Sequence, residues 1–215
     1  MIVAIVPAAG HGSRMGGPKL TLPIGGGTVI ARVVSALRGA GIEQVLVVTP
    51  PIDAPGSEEL GLEATRAGGT VLITETRPID MRGSVEHALT HVERTMPATS
   101  AIVLSPADAP GITASVVSLL LKAARLEPGA IITPVFGEKR GHPIVMPWAV
   151  AVEIRDLPVG VGVNALLKRH EEQTREIAVD DDAILNDLDT PEDYENWNQR
   201  LMMNPDESIA RENSP

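Results

Sequence analysis

The sequence MIVAIVPAAGHGSRMGGPK, residues 1–19, contains the two features that decide the fold class, a short apolar strand and a glycine-rich loop directly after it. The run IVAIV (2–6) is apolar at every position, as expected of a parallel strand that is buried on both faces. Four similar runs follow: QVLVVT (44–49), TVLIT (70–74), AIVLS (101–105) and AIITPV (130–135). Helical patterns separate them. This alternation predicts an α/β protein with three layers, in which helices cover both faces of a mostly parallel sheet.

The predicted helices span roughly 28–40, 57–67, 84–93 and 113–125. Their N-cap candidates are Thr28, Ser57, Ser84 and Thr113, and Gly41 is suited to end the first helix.

Beyond residue 135 the pattern predicts a short or edge strand, a helix, a strand and a last helix, at GHPIVMP (141–147), 163–170, REIAV (175–179) and 191–201. We expect one domain over 1–201 and a disordered polar tail over 202–215.

The composition excludes several classes of function. The net charge of −10 disfavours binding to nucleic acid or to an anionic membrane, and four aromatic residues are too few for a base-stacking platform. Cysteine is absent, which excludes thiolate chemistry and fits a reducing compartment. The first apolar run is too short for a signal peptide or a membrane span, so we expect a cytoplasmic protein. The sequence does not indicate an oligomeric state.

The glycine-rich loop is typical of a phosphate-binding loop, although such a cluster also suits a flexible surface turn. Glycines allow backbone N–H groups to approach an anion closely, and Arg14 and Lys19 add positive charge. No acidic residue precedes Glu43. The spacing Gly10, Gly12, Gly16 does not fit a dinucleotide fingerprint, and Pro18-Lys19-Leu20 does not fit a P-loop. The remaining interpretation is a long loop that wraps a triphosphate.

The run AAGHGSRMGGPKLTLP (8–23) resembles the signature loop of the MobA/MocA-like nucleotidyltransferase superfamily, in the branch of molybdenum cofactor cytidylyltransferase. The resemblance covers essentially residues 1–200. It implies the Rossmann-like fold of nucleotide-diphospho-sugar transferases. It also implies nucleotide-binding roles for the following residues: Ala8, Ala9, Gly10, Gly12, Ser13, Arg14, Lys19 and Ser84.

Two aspartates are candidate metal ligands. Asp108 lies in SPADAPGIT, directly after a predicted strand, where a turn residue is the alternative interpretation. The segment resembles the family motif whose aspartate binds the catalytic metal, but it has Ala107 before and Ala109 after the aspartate. The segment NDLDTPEDY (186–194) resembles the family motif D-x-D-T-P-E-D, which makes Asp189 the second ligand and Asp187 a weaker one. Mg²⁺ is the cofactor that the resemblance implies.

Further candidates are one serine, three histidines and two cations. Ser84 suits either an N-cap or the nucleotide site, and both roles are compatible. His87 and His91 stand at i and i+4 on one helix, but without a third ligand they are interpreted as ordinary helix residues. His142 resembles the G-H-P element near the acceptor pocket. Lys139 and Arg140 could attract an anionic acceptor or form a solvated turn.

The predicted activity is Mg²⁺-dependent transfer of a nucleotidyl group from a nucleoside triphosphate to a phosphorylated small molecule. The catalytic residues implied are Arg14, Lys19 and Asp108. Ala8-Ala9-Gly10, the G-H-P element and the DTPED ending favour CTP, with molybdopterin as acceptor. A sugar-phosphate uridylyl- or cytidylyltransferase is the second alternative and a molybdopterin guanylyltransferase is the third. A non-catalytic nucleotide or cofactor carrier is the alternative outside enzymes.

Overall fold

The computed structural model describes residues 1–10, 18–158 and 161–203. Its strands are β1 (Ile2–Pro7), β2 (Pro23–Ile24), β3 (Gly27–Thr28), β4 (Gln44–Thr49), β5 (Thr70–Ile73), β6 (Ala101–Leu104), β7 (Ile131–Phe136), β8 (Lys139–Arg140), β9 (Ile144–Pro147) and β10 (Thr174–Ala178). Its α-helices are α1 (Val29–Gly39), α2 (Ser57–Arg66), α3 (Met81–Thr95), α4 (Ala114–Leu126), α5 (Trp148–Ala151), α6 (Asn164–Arg169) and α7 (Pro191–Met203).

The main sheet has the strand order β10-β7-β9-β6-β1-β4-β5, with β8 paired to β7. Strands β6, β1, β4 and β5 are parallel neighbours, and β7 is parallel to β10. Strand β9 is antiparallel to both β6 and β7. The five apolar runs of the sequence form β1, β4, β5, β6 and β7, which confirms the mostly parallel sheet.

Strand β9 does not lie at an edge, as was one expectation from its flanking prolines. It is short, but it pairs with β6 on one side and β7 on the other. Pro143 precedes the strand and Pro147 is its last residue, so the buried positions 144–146 keep their N–H groups for the ladder. Proline at the ends of a strand therefore does not exclude it from the interior of a sheet.

The two faces of the sheet bury separate apolar clusters, which gives the predicted three layers. Successive side chains of a strand point to opposite faces. Accordingly, Ala4 and Val6 of β1 pack with α1 and α4, whereas Val3 and Ile5 pack with α3 and α6. All four of these β1 side chains have 0% exposure. This burial on both faces explains the continuous apolar run at the start of the sequence.

The helix boundaries confirm two of the predicted N-caps. The hydroxyls of Thr28 and Thr113 accept hydrogen bonds from the third residue beyond each, at the starts of α1 and α4. Gly41 has φ +87°, the left-handed conformation of a residue that ends a helix, as predicted. No helix in the described part of the chain is long and apolar enough to span a membrane.

The other two N-cap predictions are wrong. Helix α2 begins at Ser57 itself, after Gly56, and the Ser57 hydroxyl donates to the carbonyl of Pro50 (2.9 Å). Helix α3 begins at Met81, three residues earlier than predicted, because Asp80 accepts a hydrogen bond from the Gly83 amide (3.0 Å). Ser84 therefore lies inside α3 and is free of a capping role.

Helix α7 reaches Met203, two residues past the expected end of the domain, so the first residues of the expected tail are helical. Residues 204–215 lie outside the described residues.

Candidate active site

The candidate site lies at the carboxyl ends of β1 and β6, which are neighbours in the sheet. The chain order reverses between these two strands, and ligands of open α/β sheets bind in the crevice at such a point. The glycine-rich loop follows β1, and the segment that contains Asp108 follows β6. The order of the strands thus brings together two segments that are about 90 positions apart.

Lys19 joins the two predicted metal ligands. It lies in a single 3₁₀ turn (Lys19–Thr21), and its Nζ donates to Oδ2 of Asp108 (2.6 Å) and to Oδ1 of Asp189 (2.9 Å). The Lys19 side chain is 13% exposed, that of Asp108 25% and that of Asp189 42%. The three predicted residues therefore meet at one point that stays open to solvent on the side of Asp189.

Hydrogen bonds fix the segment with Asp189. The Leu188 amide donates to the Asp108 carbonyl (2.7 Å), which joins the two aspartate segments directly. Thr190 and Asp193 cap α7 reciprocally, since each accepts a hydrogen bond from the backbone amide of the other (3.2 and 2.7 Å). Thr190 is thus the N-cap of α7. The position of Asp189 is thus set by the start of α7.

Helix α7 is held against the body of the protein by Trp197, which is 4% exposed. The Trp197 ring packs directly over Gly111, where no side chain would fit. The Tyr194 hydroxyl donates to the Pro23 carbonyl (2.5 Å). Buried Arg32 donates from Nε to the Pro110 carbonyl (3.1 Å), two residues after Asp108. Both aspartates are therefore positioned by contacts that lie outside the site.

Among the described residues, Lys19 has three carboxylates near it, those of Asp108, Asp187 and Asp189. Burial lowers the pKa of Lys19, but its hydrogen bonds and ion pairs with Asp108 and Asp189 outweigh that effect and leave the pKa raised. Burial and the nearby charges of Asp108 and Asp189 raise the pKa of Asp187 to about 6. Asp187 thus lies close enough to both carboxylates for their charges to raise its pKa, although it forms no ion pair with Lys19 in the described part of the chain.

A cavity of about 700 Å³ opens beside these residues. Its walls include Ala8, Gly10, Lys19, Ser84 and Asp108, all of which were predicted as site residues. Ala9 is buried next to them, with 1% exposure. The predicted residues Gly12, Ser13 and Arg14 lie outside the described residues. A volume of this size is typical of a site for a nucleotide-sized ligand.

His142 lies near the site, close enough for the charge of Asp108 to affect its imidazole. Its amide donates to the Ile184 carbonyl (2.9 Å). Burial lowers the pKa of its imidazole, and the charge of Asp108 opposes this shift only partly. Arg140 is paired with Glu171 (2.6 Å) and Glu176 (2.7 Å) in a surface ion-pair network, which agrees with a solvated turn, one of the two alternatives for Lys139 and Arg140.

Sequence reasoning missed Arg77. It lines the cavity, and its Nη1 donates to the carbonyls of Ala9 (3.1 Å) and Gly10 (2.9 Å). Arg77 comes four residues after β5 ends. Its position after a parallel strand, at the same edge as Asp108, was the available signal, but arginines are common in such loops.

A second, shallow cavity of about 470 Å³ lies along α3 and includes His87 and His91. In the three described stretches of chain, no group of three or more His, Asp or Glu side chains is arranged to hold a metal ion.

Asp108 and Asp189 nevertheless fit a divalent metal ion at the place of the Lys19 Nζ, if phosphate oxygens of a bound ligand complete the coordination. Two carboxylate oxygens point at a single cation, the Lys19 Nζ, and both lie within 2.9 Å of it. Mg²⁺ is commonly held by one or two carboxylates together with phosphate oxygens and water. A site with two protein carboxylates beside a nucleotide-sized cavity suits this mode of binding.

Comparison with known proteins agrees with this geometry. Residues 4–174 match the MobA-like NTP transferase domain. Molybdenum cofactor guanylyltransferase of Rhizobium meliloti is 29% identical over 183 residues, which are 80% of this chain and 77% of that protein. Phosphoenolpyruvate guanylyltransferase of Rubrobacter xylanophilus is 30% identical over 200 residues (89% and 91%). The 2-C-methyl-D-erythritol 4-phosphate cytidylyltransferase of Saccharopolyspora erythraea is 32% identical over 131 residues (60% and 56%).

Solved structures show the same fold. A homologue of Mycobacterium tuberculosis Rv0371c from Mycobacterium sp. strain JC1 aligns with a TM-score of 0.77 at 27% identity, covering 94% of this chain and 97% of that one. The manganese complex of Rv0371c from Mycobacterium tuberculosis aligns with a TM-score of 0.73 at 24% identity, covering 92% and 98%. The chain therefore belongs to the MobA-like NTP transferase domain family and is a nucleotidyltransferase.

Proposed function

We propose that this protein transfers a nucleoside monophosphate from a nucleoside triphosphate, with CTP preferred, to a phosphorylated acceptor such as molybdopterin. The observation that carries this proposal is the convergence of Lys19, Asp108 and Asp189 at one end of the cavity. A cation between two carboxylates at the carboxyl edge of a parallel sheet is suited to phosphate chemistry.

In the proposed reaction, an oxygen of the acceptor phosphate attacks the α-phosphorus of the nucleoside triphosphate. The bond between the α-phosphorus and the bridging oxygen to the β-phosphate breaks, and pyrophosphate leaves with that oxygen. The attacking oxygen is already anionic, so the step needs no strong general base. Catalysis then depends on alignment of the reactants and on stabilisation of the charge of the leaving group.

Lys19 would stabilise the negative charge that develops on pyrophosphate, assisted by Arg14 and the backbone amides of the loop with Gly12 and Ser13. Asp108 and Asp189 would hold Mg²⁺, which supplies charge neutralisation at the α-phosphate. Lys19 has to release at least one carboxylate for this, because its ammonium group already uses the oxygens that a metal would need. The solvent-exposed side of Asp189 is where this exchange is easiest.

The preference for CTP is supported by the small residues Ala8 and Ala9, by the G-H-P element and by similarity to a cytidylyltransferase. His142 is proposed to face the acceptor as a neutral group, since burial lowers its pKa. GTP is the second candidate, because two relatives that cover most of this chain are guanylyltransferases.

The test is to incubate the protein with each nucleoside triphosphate, MgCl₂ and candidate phosphorylated acceptors while pyrophosphate release is followed. Lys19→Met and Asp108→Asn should each reduce kcat by about 10²- to 10³-fold, the usual effect of removing one charge-stabilising group. Lys122→Met, on the exposed face of α4, is the matched control and should keep full activity. Full activity of Asp108→Asn would refute the proposed role of Asp108.

A further inference from the structure

Arg32 is the one charged residue that is buried in the described part of the chain, with 6% exposure. It lies in α1, whose residues Val29 and Val33 are 0% exposed. Moving a charged group from water into an apolar interior is unfavourable unless hydrogen bonds compensate for the lost hydration. An apolar side chain would complete the buried face of the helix without this cost. The guanidinium therefore has a role other than packing.

Three segments of the chain come together at the Arg32 guanidinium. Its Nε donates to the Pro110 carbonyl (3.1 Å). Its Nη1 lies against Gly25, in the turn between β2 and β3, since a Cβ atom at Gly25 would be 2.7 Å from it. The same Cβ atom would be 3.0 Å from Cδ1 of Leu201, which belongs to α7. Arg32 thus contacts the first two segments and lies beside the third.

Each of these segments also carries one of the three residues that meet in the candidate site. The turn between β2 and β3 follows the 3₁₀ turn that begins at Lys19. Pro110 comes two residues after Asp108. Helix α7 begins two residues after Asp189. A shift at the guanidinium therefore reaches each of these side chains through a short stretch of backbone or through one helix.

The turn that carries Asp108 is bonded to two other parts of the chain. The Leu188 amide donates to the Asp108 carbonyl (2.7 Å), which ties the turn to the segment of Asp189. Arg32 donates to the Pro110 carbonyl, which ties the same turn to α1. The first amide of α1, that of Val29, in turn donates to the Leu22 carbonyl (3.1 Å), shortly after Lys19. Loss of the Arg32 bond would thus weaken the attachment of Asp108 to the part of the chain that carries Lys19.

We propose that Arg32 is a positioning residue that sets the distances between Lys19, Asp108 and Asp189, an inference that rests on the function proposed above where it concerns catalysis. Arg32 acts through the Pro110 carbonyl and does not line the cavity. Arginine suits this role because its guanidinium stays protonated and its donors have fixed directions in one plane. Contacts that orient metal ligands from outside typically contribute about 10- to 100-fold to metal affinity or activity.

The first test is a double-mutant cycle on thermal unfolding of the full-length protein in EDTA, with Lys19→Met, Arg32→Met and the double variant. Lys19→Met lowers Tm because it removes the ion pairs with Asp108 and Asp189. If Arg32 positions these carboxylates, the ion pairs are already weakened in Arg32→Met. Lys19→Met should then lower Tm by less than about half as much in Arg32→Met as in the wild type. The effect of Arg32→Met alone, which any structural role would also produce, does not enter this comparison.

Arg38→Met is the matched control for the cycle. Arg38 lies in the same helix and also donates to backbone carbonyls, those of Ile42 and Glu43, before β4 begins. Lys19→Met should lower Tm in Arg38→Met as much as in the wild type. Arg32→Lys is the second variant in case Arg32→Met does not fold. It keeps the positive charge but has a CH₂ group in place of the Nε–H, so it should show the same reduced effect of Lys19→Met.

The second test follows pyrophosphate release with saturating MgCl₂. Arg32→Met should reduce kcat by about 10- to 100-fold, because the carboxylates no longer hold their distances. The KM for the nucleoside triphosphate should change little, since Arg32 does not line the cavity. Arg38→Met should keep both constants.

Equal losses of Tm on Lys19→Met in the wild type, Arg32→Met and Arg32→Lys would overturn the proposal. A wild-type kcat in Arg32→Met would also overturn it, and so would a raised KM with unchanged kcat, because Arg32 would then act on nucleotide binding. Absence of nucleotidyl transfer by the wild type with every nucleoside triphosphate and acceptor would refute the proposed function. The cycle on Tm would still decide the role of Arg32 in that case, since it needs neither substrate nor metal.

Discussion

Replacement of Lys19 by methionine tests the electrostatics of the site without any substrate. The substitution keeps a long unbranched side chain but removes the ammonium group that donates to both Asp108 and Asp189. A hydrogen bond to a charged group contributes about 1.5–3 kcal/mol when it is well shielded, and an exposed ion pair contributes less than about 1 kcal/mol. The bond to Asp108 is the shielded one and the bond to Asp189 is partly exposed. We expect a loss of about 2 kcal/mol in the free energy of unfolding.

For a chain of this length, a loss of about 2 kcal/mol lowers Tm by roughly 4–8 °C. The measurement is thermal unfolding in EDTA, followed by circular dichroism, with Lys122→Met as the control. The pKa of Lys19 is raised, so its contribution is fully present below pH 10.5 and is lost only as the pH rises through the higher folded-state value. The difference in Tm between wild type and variant should therefore be the same at pH 7 and pH 9.

Addition of MgCl₂ should restore part of this stability in Lys19→Met. A ligand at ten times its Kd stabilises the folded state by about 1.4 kcal/mol. In the wild type the metal ion has to displace the lysine from the carboxylates, so its stabilisation should be smaller. Equal Tm values for wild type and variant in EDTA, together with equal increases on addition of MgCl₂, would refute the view that lysine and metal share one position.

Two further predictions concern structural contacts, one beside the site and one away from it. Gly111→Ala places a methyl group against the Trp197 ring, which should lower the free energy of unfolding in urea by about 1–3 kcal/mol and reduce kcat by displacing α7. The control is Gly129→Ala, where the methyl group enters open space and should change neither quantity. Stability and kcat of Gly111→Ala equal to those of the wild type would contradict the packing described. Glu153 accepts a hydrogen bond from His170 (3.0 Å), which is the main reason why its pKa is lowered. Glu153→Gln should therefore cost about 0.5 kcal/mol above pH 4.5, and the loss should disappear as the pH falls through the lowered folded-state pKa. Urea unfolding at a series of pH values measures this loss, and a loss that does not decrease with falling pH would exclude this origin.

The sequence predicted the frame of the fold well, because its signal is burial. Strands β1, β4, β6 and β7 are buried along most of their length, so nearly all of their positions are apolar and the pattern is easy to detect. The edge strand β5 keeps an apolar run although Ile73 is 48% exposed. The placement of β9 was less predictable. Periodicity reports how deeply a segment is buried but not which strands it pairs with.

The site could be predicted only where a residue type and a strand end coincide. Lys19 and Asp108 follow the two strands that meet at the point where the strand order reverses, and the structure brings them together. Asp189 was indicated by motif resemblance alone, because its contact with Lys19 spans 170 positions. The N-cap of α3 was assigned to Ser84, since serine is a common cap, but Asp80 is the residue whose carboxylate reaches a free amide. Arg77 was missed because its contacts are to carbonyl groups, which no sequence pattern marks.

Because β9 runs antiparallel to β6 and β7, the residues before it, and not those after it, lie at the same edge of the sheet as the candidate site. Its neighbours contribute residues that follow a strand, whereas β9 contributes His142, which precedes one. The residue that follows β9, Trp148, has its amide bonded to the Ser100 carbonyl (2.9 Å), at the far end of β6 from Asp108. Insertions in the hairpin before β9 would thus change the surroundings of His142, which we propose to face the acceptor, while insertions after β9 would lie at the other end of the strand. We therefore expect the choice of acceptor to depend on that hairpin.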